Sequence, residues 1–308
     1  MSAQDERRLY LLAFDHRASF QKDLLGISGE PDEDEEARIG ALKGLVYAGF
    51  QQAIAVGAPR DACGLLVDEH FGAGIARSAR AAGFTLAMPV EESGRQEFEF
   101  EFGDEFGEHI EAFAPTFAKV LVRYNPDGDG PLNSRQAARL ARLSGWLRDR
   151  HRELLLELLV PATEYQLGEV GGDQDAYDRR LRPALMVRAI AQLQGAGVEP
   201  SIWKIEGLDD RADCELTVAQ ARSDGRSDVH CIVLGRGADT ARVVAWLELA
   251  APVPGYIGFA IGRTIWEEAL REHLAGRLDA AAASARIANE YRRMIDLYAA
   301  ASAGRPGA

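Results

Sequence analysis

Lysine is nearly missing from this chain. Of 35 basic residues only four are lysines, Lys22, Lys43, Lys119 and Lys204, and arginine supplies positive charge everywhere else. Cysteine is scarce as well. Cys63, Cys214 and Cys231 are odd in number, widely spaced and contain no CxxC, which argues against a disulfide framework or a zinc site. They read as reduced packing residues of a cytoplasmic protein. Basic charge is outweighed: a net charge of −13 argues against nucleic acid or an anionic membrane as partner. No apolar run approaches the length of a membrane span, and Met1 to Arg8 carry no signal-peptide core. What is present, 308 residues with 47% hydrophobic and 27% charged content, suits a soluble globular protein with a substantial core.

Strand-like and helix-like segments alternate along the whole length. The apolar runs are 9–14, 64–67, 84–90, 117–124, 154–160, 201–207, 229–234 and 256–261. Most end on charged residues, Pro or Gly, as buried parallel strands do. Helical patterns fall at about 37–56, 75–82, around Glu108, and at 134–150, 179–194, 209–221 and 238–249, with two more helices after 261. The acidic run Glu30–Glu36 leads into a helix N-terminus. Glu97–Phe102 alternates strictly, so it is expected to be extended with one buried face, either over the site or at a subunit contact. Eight strand–helix units without a linker predict a single-domain (β/α)8 barrel over residues 1–301, with a flexible tail at 302–308. An open doubly wound sheet is the alternative, but no G-x-G-x-x-G follows the first strand.

A barrel of this kind places its chemistry at the C-terminal ends of the strands. Those positions hold Asp15, His16 and Arg17; Asp68 and His70; Glu91; Lys119 and Arg123; Glu157; Lys204 and Glu206; Gly235, Arg236 and Gly237; Gly262 and Arg263. Lys119, Glu157 and Lys204 interrupt apolar runs on three successive strands, where an unpaired charge is expensive. A buried Lys–Glu pair that merely neutralises itself would explain them. The sharper reading starts from what lysine can do and arginine cannot, which is to lose a proton and attack a carbonyl. Free lysine has a pKa of ~10.4. A second ammonium ~4 Å away adds up to ~4 kcal/mol of repulsion at a dielectric of ~20, about three pKa units. On that reading Lys204 is the Schiff-base nucleophile and Lys119 its electrostatic neighbour. Glu157, in an apolar setting, is expected to have a raised pKa and to move protons. The turns at Gly235–Gly237 and Gly262–Arg263 follow the last two strands, where barrels bind phosphate on bare N–H groups.

With these residues the chain resembles class I aldolases of the tagatose-bisphosphate and sulfo-sugar-phosphate group. Lys119, Leu156-Glu157, Trp203-Lys204-Ile205-Glu206 and Gly262-Arg263 before Trp266 carry the likeness. It is closer still to the aldolase-like domain fused to 5-dehydro-2-deoxygluconokinases, through Phe14-Asp15-His16-Arg17, Asp68-Glu69-His70-Phe71-Gly72, Met88-Pro89-Val90-Glu91 and Val122-Arg123-Tyr124-Asn125. The resemblance implies cleavage of 2-deoxy-5-keto-gluconate 6-phosphate to dihydroxyacetone phosphate and malonate semialdehyde, in inositol breakdown. It makes Lys204 the Schiff-base lysine, Glu157 the acid/base and Lys119 an electrostatic group. His16 departs from the tagatose-type pattern, and no kinase domain is expected. A substrate carboxylate would need a cation, for which Arg17 and Arg123 are available. The expected partner is a sugar phosphate, with further copies of the chain as a second candidate; no cofactor or metal is expected. Two other classes compete: a metal-dependent lyase using Asp15, His16, Asp68 and His70, and a sugar-phosphate sensor without turnover.

Overall fold

The computed structural model describes residues 7–18 and 20–303. Eight parallel strands close in chain order: β1 Leu9–Ala13, β2 Cys63–Leu66, β3 Thr85–Pro89, β4 Phe117–Arg123, β5 Glu153–Leu159, β6 Ile202–Glu206, β7 His230–Leu234 and β8 Tyr256–Ile261. β8 returns to β1, with Leu9 opposite Gly258 and Leu12 opposite Ile261. The molecule is therefore the single-domain (β/α)8 barrel that the alternation predicts.

Side chains alternate across each strand, so each strand feeds two cores. Leu9, Leu11, Phe117, Leu155, Ile202, Ile232 and Ile257 point inward and fill the lower barrel as one apolar cluster. Tyr10, Leu12, Val120, Leu156, Trp203 and Phe259 point outward and join the layer shared with the helices. This two-residue period matters for the site. Lys119, Glu157 and Lys204 each stand two residues above an inward apolar residue, Phe117, Leu155 and Ile202, and so face the same interior one layer higher.

The helices are α1 Glu33–Ala55, α2 Glu69–Ala81, α3 Phe106–Phe113, α4 Gly130–Arg148, α5 Glu164–Glu169, α6 Gln174–Arg180, α7 Arg182–Gly195, α8 Arg211–Ala221, α9 Thr240–Ala250, α10 Arg263–Leu274 and α11 Ala280–Ser302. Asp32 and Glu35 form a reciprocal capping box on α1, and the acidic run supplies its first turn. Asp68 accepts from the Phe71 N–H, which starts α2 at Glu69, earlier than periodicity suggests. After β5 the chain makes α5 and α6, capped by Thr163 and Asp173, and Pro183 in the first turn of α7 resets it. The single helix expected from Arg179 is thus two. Ser302 still belongs to α11 and donates to the Ala251 and Tyr298 carbonyls. Residues 304–308 of the expected tail lie outside the described residues. No helix among the described residues is long and apolar enough to cross a membrane.

Candidate active site

The C-terminal mouth of the barrel encloses a cavity of ≈ 340 Å³. That is within the ordinary range for small-molecule sites, about 300–1,000 Å³. Its floor is a charged cluster set by strand register. Glu157 lies opposite Lys204 in the β5–β6 ladder and opposite Leu121 in β4–β5, which puts Lys119 one inward step lower. One oxygen, Glu157 Oε2, lies 3.0 Å from Lys204 Nζ and 3.0 Å from Lys119 Nζ. Lys119 Nζ also meets Asp15 Oδ2 at 2.9 Å and Glu91 Oε1 at 2.6 Å. The structure thus brings the three expected residues together and adds two carboxylates around Lys119.

These neighbours change the electrostatics expected from sequence. Lys119 is caged by three carboxylates, and although burial opposes its charge, Asp15, Glu157 and Glu91 hold its pKa well above the ordinary lysine value. The two ammoniums do not face each other bare, because Glu157 stands between them. Burial pushes Glu157 up as expected, but Lys119 and Lys204 outweigh it and leave the carboxyl below its usual range. The raised carboxyl is Glu91 instead, where burial exceeds the pull of Lys119 and Arg17. Asp15 is held low: burial would raise it, but Lys119, His16 and Lys204 prevail. His16 falls to about 4, through burial, with Asp15 opposing and Arg263 and Lys204 assisting.

The remaining expected residues divide. Asp15, His16, Arg17, Glu91, Arg123, Gly235, Arg236, Gly237, Gly262 and Arg263 all line the cavity. Gly262 leaves no room for a side chain, since a Cβ there would sit 2.1 Å from the Ala13 carbonyl oxygen. Gly237 has φ +71° and would collide with the Arg263 guanidinium, so this turn brings bare backbone against an arginine. Arg263 has no carboxylate partner among the described residues. Among the described residues Arg123 reaches only the Arg95 carbonyl, at 2.9 Å. Arg17, by contrast, is committed: it pairs with Glu101 and donates to the Glu91 carbonyl at 2.8 Å. Its guanidinium holds the segment 91–102 rather than standing open for a carboxylate. That segment folds back on its own barrel with Phe98 and Phe100 buried, and Phe98 reaches the cavity.

Three of the expected residues lie outside the cavity lining. Asp68 is fully buried behind the site, paired with Lys43 and capping α2, so it cannot touch a ligand in the cavity. His70 is exposed on α2, 3.1 Å from Glu36. Glu206 lies below the cavity wall: it accepts from the Val160 N–H at 2.8 Å and pairs with Arg236 at 2.8 Å, holding that arginine in place. With Asp68 and His70 elsewhere, the quartet considered for a metal does not assemble. Among the described residues no three His, Cys, Asp or Glu side chains could hold an ion. The sequence does not single out Lys43, which lies in a helical run, yet it is wholly buried between Asp68 and the Phe14 carbonyl. The buried Arg182, 3.2 Å from Asp178 and bonded to the Gly207 carbonyl, was missed too; Asp178 in turn pairs with Arg236.

Barrel and cluster together define a (β/α)8 protein with two buried lysines bridged by one glutamate. The family described as uncharacterized protein conserved in bacteria, DUF2090, matches residues 1–302, and the chain belongs to that family. No curated protein matches the chain. Among solved structures it is similar to the fructose-bisphosphate aldolase of Plasmodium falciparum, at 13% identity, TM-score 0.68, covering 98% of this chain and 93% of that one. It is also similar to an archaeal fructose 1,6-bisphosphate aldolase (15%, TM-score 0.59, 95% and 94% covered). A Schiff-base-forming fructose-1,6-bisphosphate aldolase is alike at 17%, with TM-score 0.56 and 95% and 94% covered. At these identities the likeness is one of fold.

Proposed function

We propose that this protein is a class I aldolase that cleaves a phosphorylated keto-sugar acid through a Schiff base on Lys204. The observation that carries the reading is the Lys204–Glu157 contact of 3.0 Å on the floor of the cavity. Lys119 Nζ is enclosed by three carboxylates, whereas among the described residues Lys204 Nζ meets Glu157 alone, so Lys204 is the amine left open to a carbonyl carbon, with Glu157 beside it for proton transfer. The amine attacks the ketone, the carbonyl oxygen leaves as water, and the resulting iminium accepts the electron pair when the bond between its α and β carbons breaks. Glu157 then returns a proton to the enamine carbon, and water releases the product. The Gly235–Gly237 and Gly262–Arg263 turns would take the phosphate, with Arg263 as cation.

For the substrate we favour 2-deoxy-5-keto-gluconate 6-phosphate, giving dihydroxyacetone phosphate and malonate semialdehyde. Its support is the strand-end resemblance together with Arg123 on β4, four strands round from β8, where a second anion would lie. The test is borohydride trapping with dihydroxyacetone phosphate, followed by peptide mass spectrometry and assay of the keto-acid phosphate. An adduct on Lys204 is expected; one on Lys119 would reverse the assignment, and none with bound ligand would end the Schiff-base reading. Arg123→Ala should weaken substrate affinity about 10–100-fold, the worth of one charged hydrogen bond, and unaltered affinity would remove Arg123 from the site.

A further inference from the structure

Glu91 holds an atom that the scheme above leaves unused. Its Oε1 lies 2.6 Å from Lys119, but Oε2 is buried and has no hydrogen-bond partner among the described residues. The side chain is nine-tenths buried and forms part of the cavity wall. A buried carboxyl oxygen without a partner has given up its hydration with nothing in exchange. Its backbone is also pinned, the carbonyl by Arg17 at 2.8 Å and the residue itself by an antiparallel bridge to Phe100. Such an oxygen is placed to be satisfied by something that enters the cavity.

Position says what that is. Lys204, Glu157, Lys119 and Glu91 form one line of contacts of 3.0, 3.0 and 2.6 Å across the floor, from β6 to the end of β3. If the phosphate sits over β7 and β8 and the ketone carbon is bonded to Lys204, the remainder of the sugar runs towards Lys119 and Glu91. The group delivered there is the hydroxyl on the far side of the bond to be broken. We propose, building on the Schiff-base reading, that Glu91 is the base for this hydroxyl, leaving Glu157 to serve the lysine nitrogen and the enamine carbon. Oε2 takes the hydroxyl proton, the O–H electron pair becomes the carbonyl of the departing aldehyde, and the carbon–carbon pair moves to the iminium to give the enamine. The Lys119 ammonium, 2.6 Å from Oε1, steadies the oxygen while it carries charge. Glu91 passes its proton to water once the aldehyde leaves. The elevation of Glu91 by burial agrees, since it makes a stronger base than an ordinary carboxylate.

The test separates two half-reactions. Imine formation and exchange of the carbon-bound hydrogen of dihydroxyacetone phosphate in D2O need Lys204 and Glu157 but no hydroxyl base. Cleavage of the ketose needs both. Glu91→Gln should therefore keep borohydride trapping on Lys204 and hydrogen exchange within a few-fold, while cleavage and condensation fall by about 10²–10⁴. Glu91→Asp, with its charge but a shorter reach, should fall between. Retained cleavage in Glu91→Gln would overturn the proposal. So would equal loss of exchange and cleavage in both variants, which would mean Glu91 only props up Lys119. A wild-type protein that traps and exchanges but neither breaks nor builds a ketose overturns it too, for the base would have no hydroxyl to serve. Failure of the wild type to trap at all strikes the Schiff-base reading itself, a result distinct from these.

Discussion

At the scale of the residue, the site is a matter of who neutralises whom. Two lysines and three carboxylates share the floor, and the side chain least at ease with that company is His16. Its ring leans edge-on against Trp266, 5.6 Å between centroids, and its pKa lies near 4 against an ordinary 6.5. Between those two values the unfolded chain carries a proton that the folded protein does not. Native stability is therefore intact above pH 6.5 and is lost as pH falls towards 4. At ~1.4 kcal/mol per pKa unit the loss would reach up to about 3 kcal/mol, trimmed by solvent because the side chain keeps 26% of its surface exposed. His16→Gln should flatten that part of the profile. Denaturant unfolding of both proteins from pH 7 to 4 checks it, and parallel curves would show that another group sets the acid limit. The sequence picked out Lys119, Glu157 and Lys204 because a charge inside an apolar run is conspicuous. It did not reveal that Asp68 is taken up by Lys43, because their pairing spans 25 residues and exists only once β2 and α1 are docked. Neither partner looks unusual alone.

At the scale of the element, the loop after β3 behaves as a fitted part of the wall. Arg17 binds Glu101 and the Glu91 carbonyl, Glu97 takes Arg135 at 2.7 Å and Arg139 at 2.6 Å from α4, and Phe98 and Phe100 anchor the middle. The alternation of residues 97–102 was readable as one buried face, but not which surface it would meet. Arg17 was readable as a strand-end cation, but its engagement depends on this fold-back. Of its contacts the Arg17 pair is the buried one, and removing one side of a buried ion pair is more damaging than losing an exposed one. Arg17→Ala should free the segment 92–102, seen as faster amide hydrogen exchange there with the strands unchanged. Because Glu91 begins that segment, the cavity should loosen with it. Exchange rates equal to wild type would place the hold on the segment elsewhere, in the Phe98–Phe100 packing and the α4 arginines.

At the scale of the whole molecule, closure of the barrel depends on residues at both ends of the chain. The strands were legible throughout because short apolar runs between charged, Pro and Gly boundaries recur eight times; the short helices α5 and α6 were not, since their caps leave no room for a period to develop. The final helix was legible as helix but not as a structural necessity. In the structure α11 lies across the seam between β1 and β8. Tyr291 donates to the Tyr10 carbonyl at 2.6 Å and Ser284 to the Leu45 carbonyl at 3.1 Å. Tyr291 and Tyr298 also pack edge-on against Phe259, with centroids 6.4 and 6.2 Å apart. Gly49 on α1 admits Ile287, since a Cβ there would lie 2.7 Å from its Cγ2. Without α11 the outer faces of Tyr10 and Phe259 would meet water, and each aromatic side chain left uncovered forfeits about 1.5–3 kcal/mol of burial. A protein has only about 5–15 kcal/mol of net stability to lose. Ending the chain after residue 279 should therefore abolish cooperative unfolding and the near-ultraviolet circular dichroism of packed aromatics, while much helical signal persists. A truncated protein that still melts sharply would show that β1 and β8 close the barrel without help, leaving α11 an ornament of the surface rather than the lock on its seam.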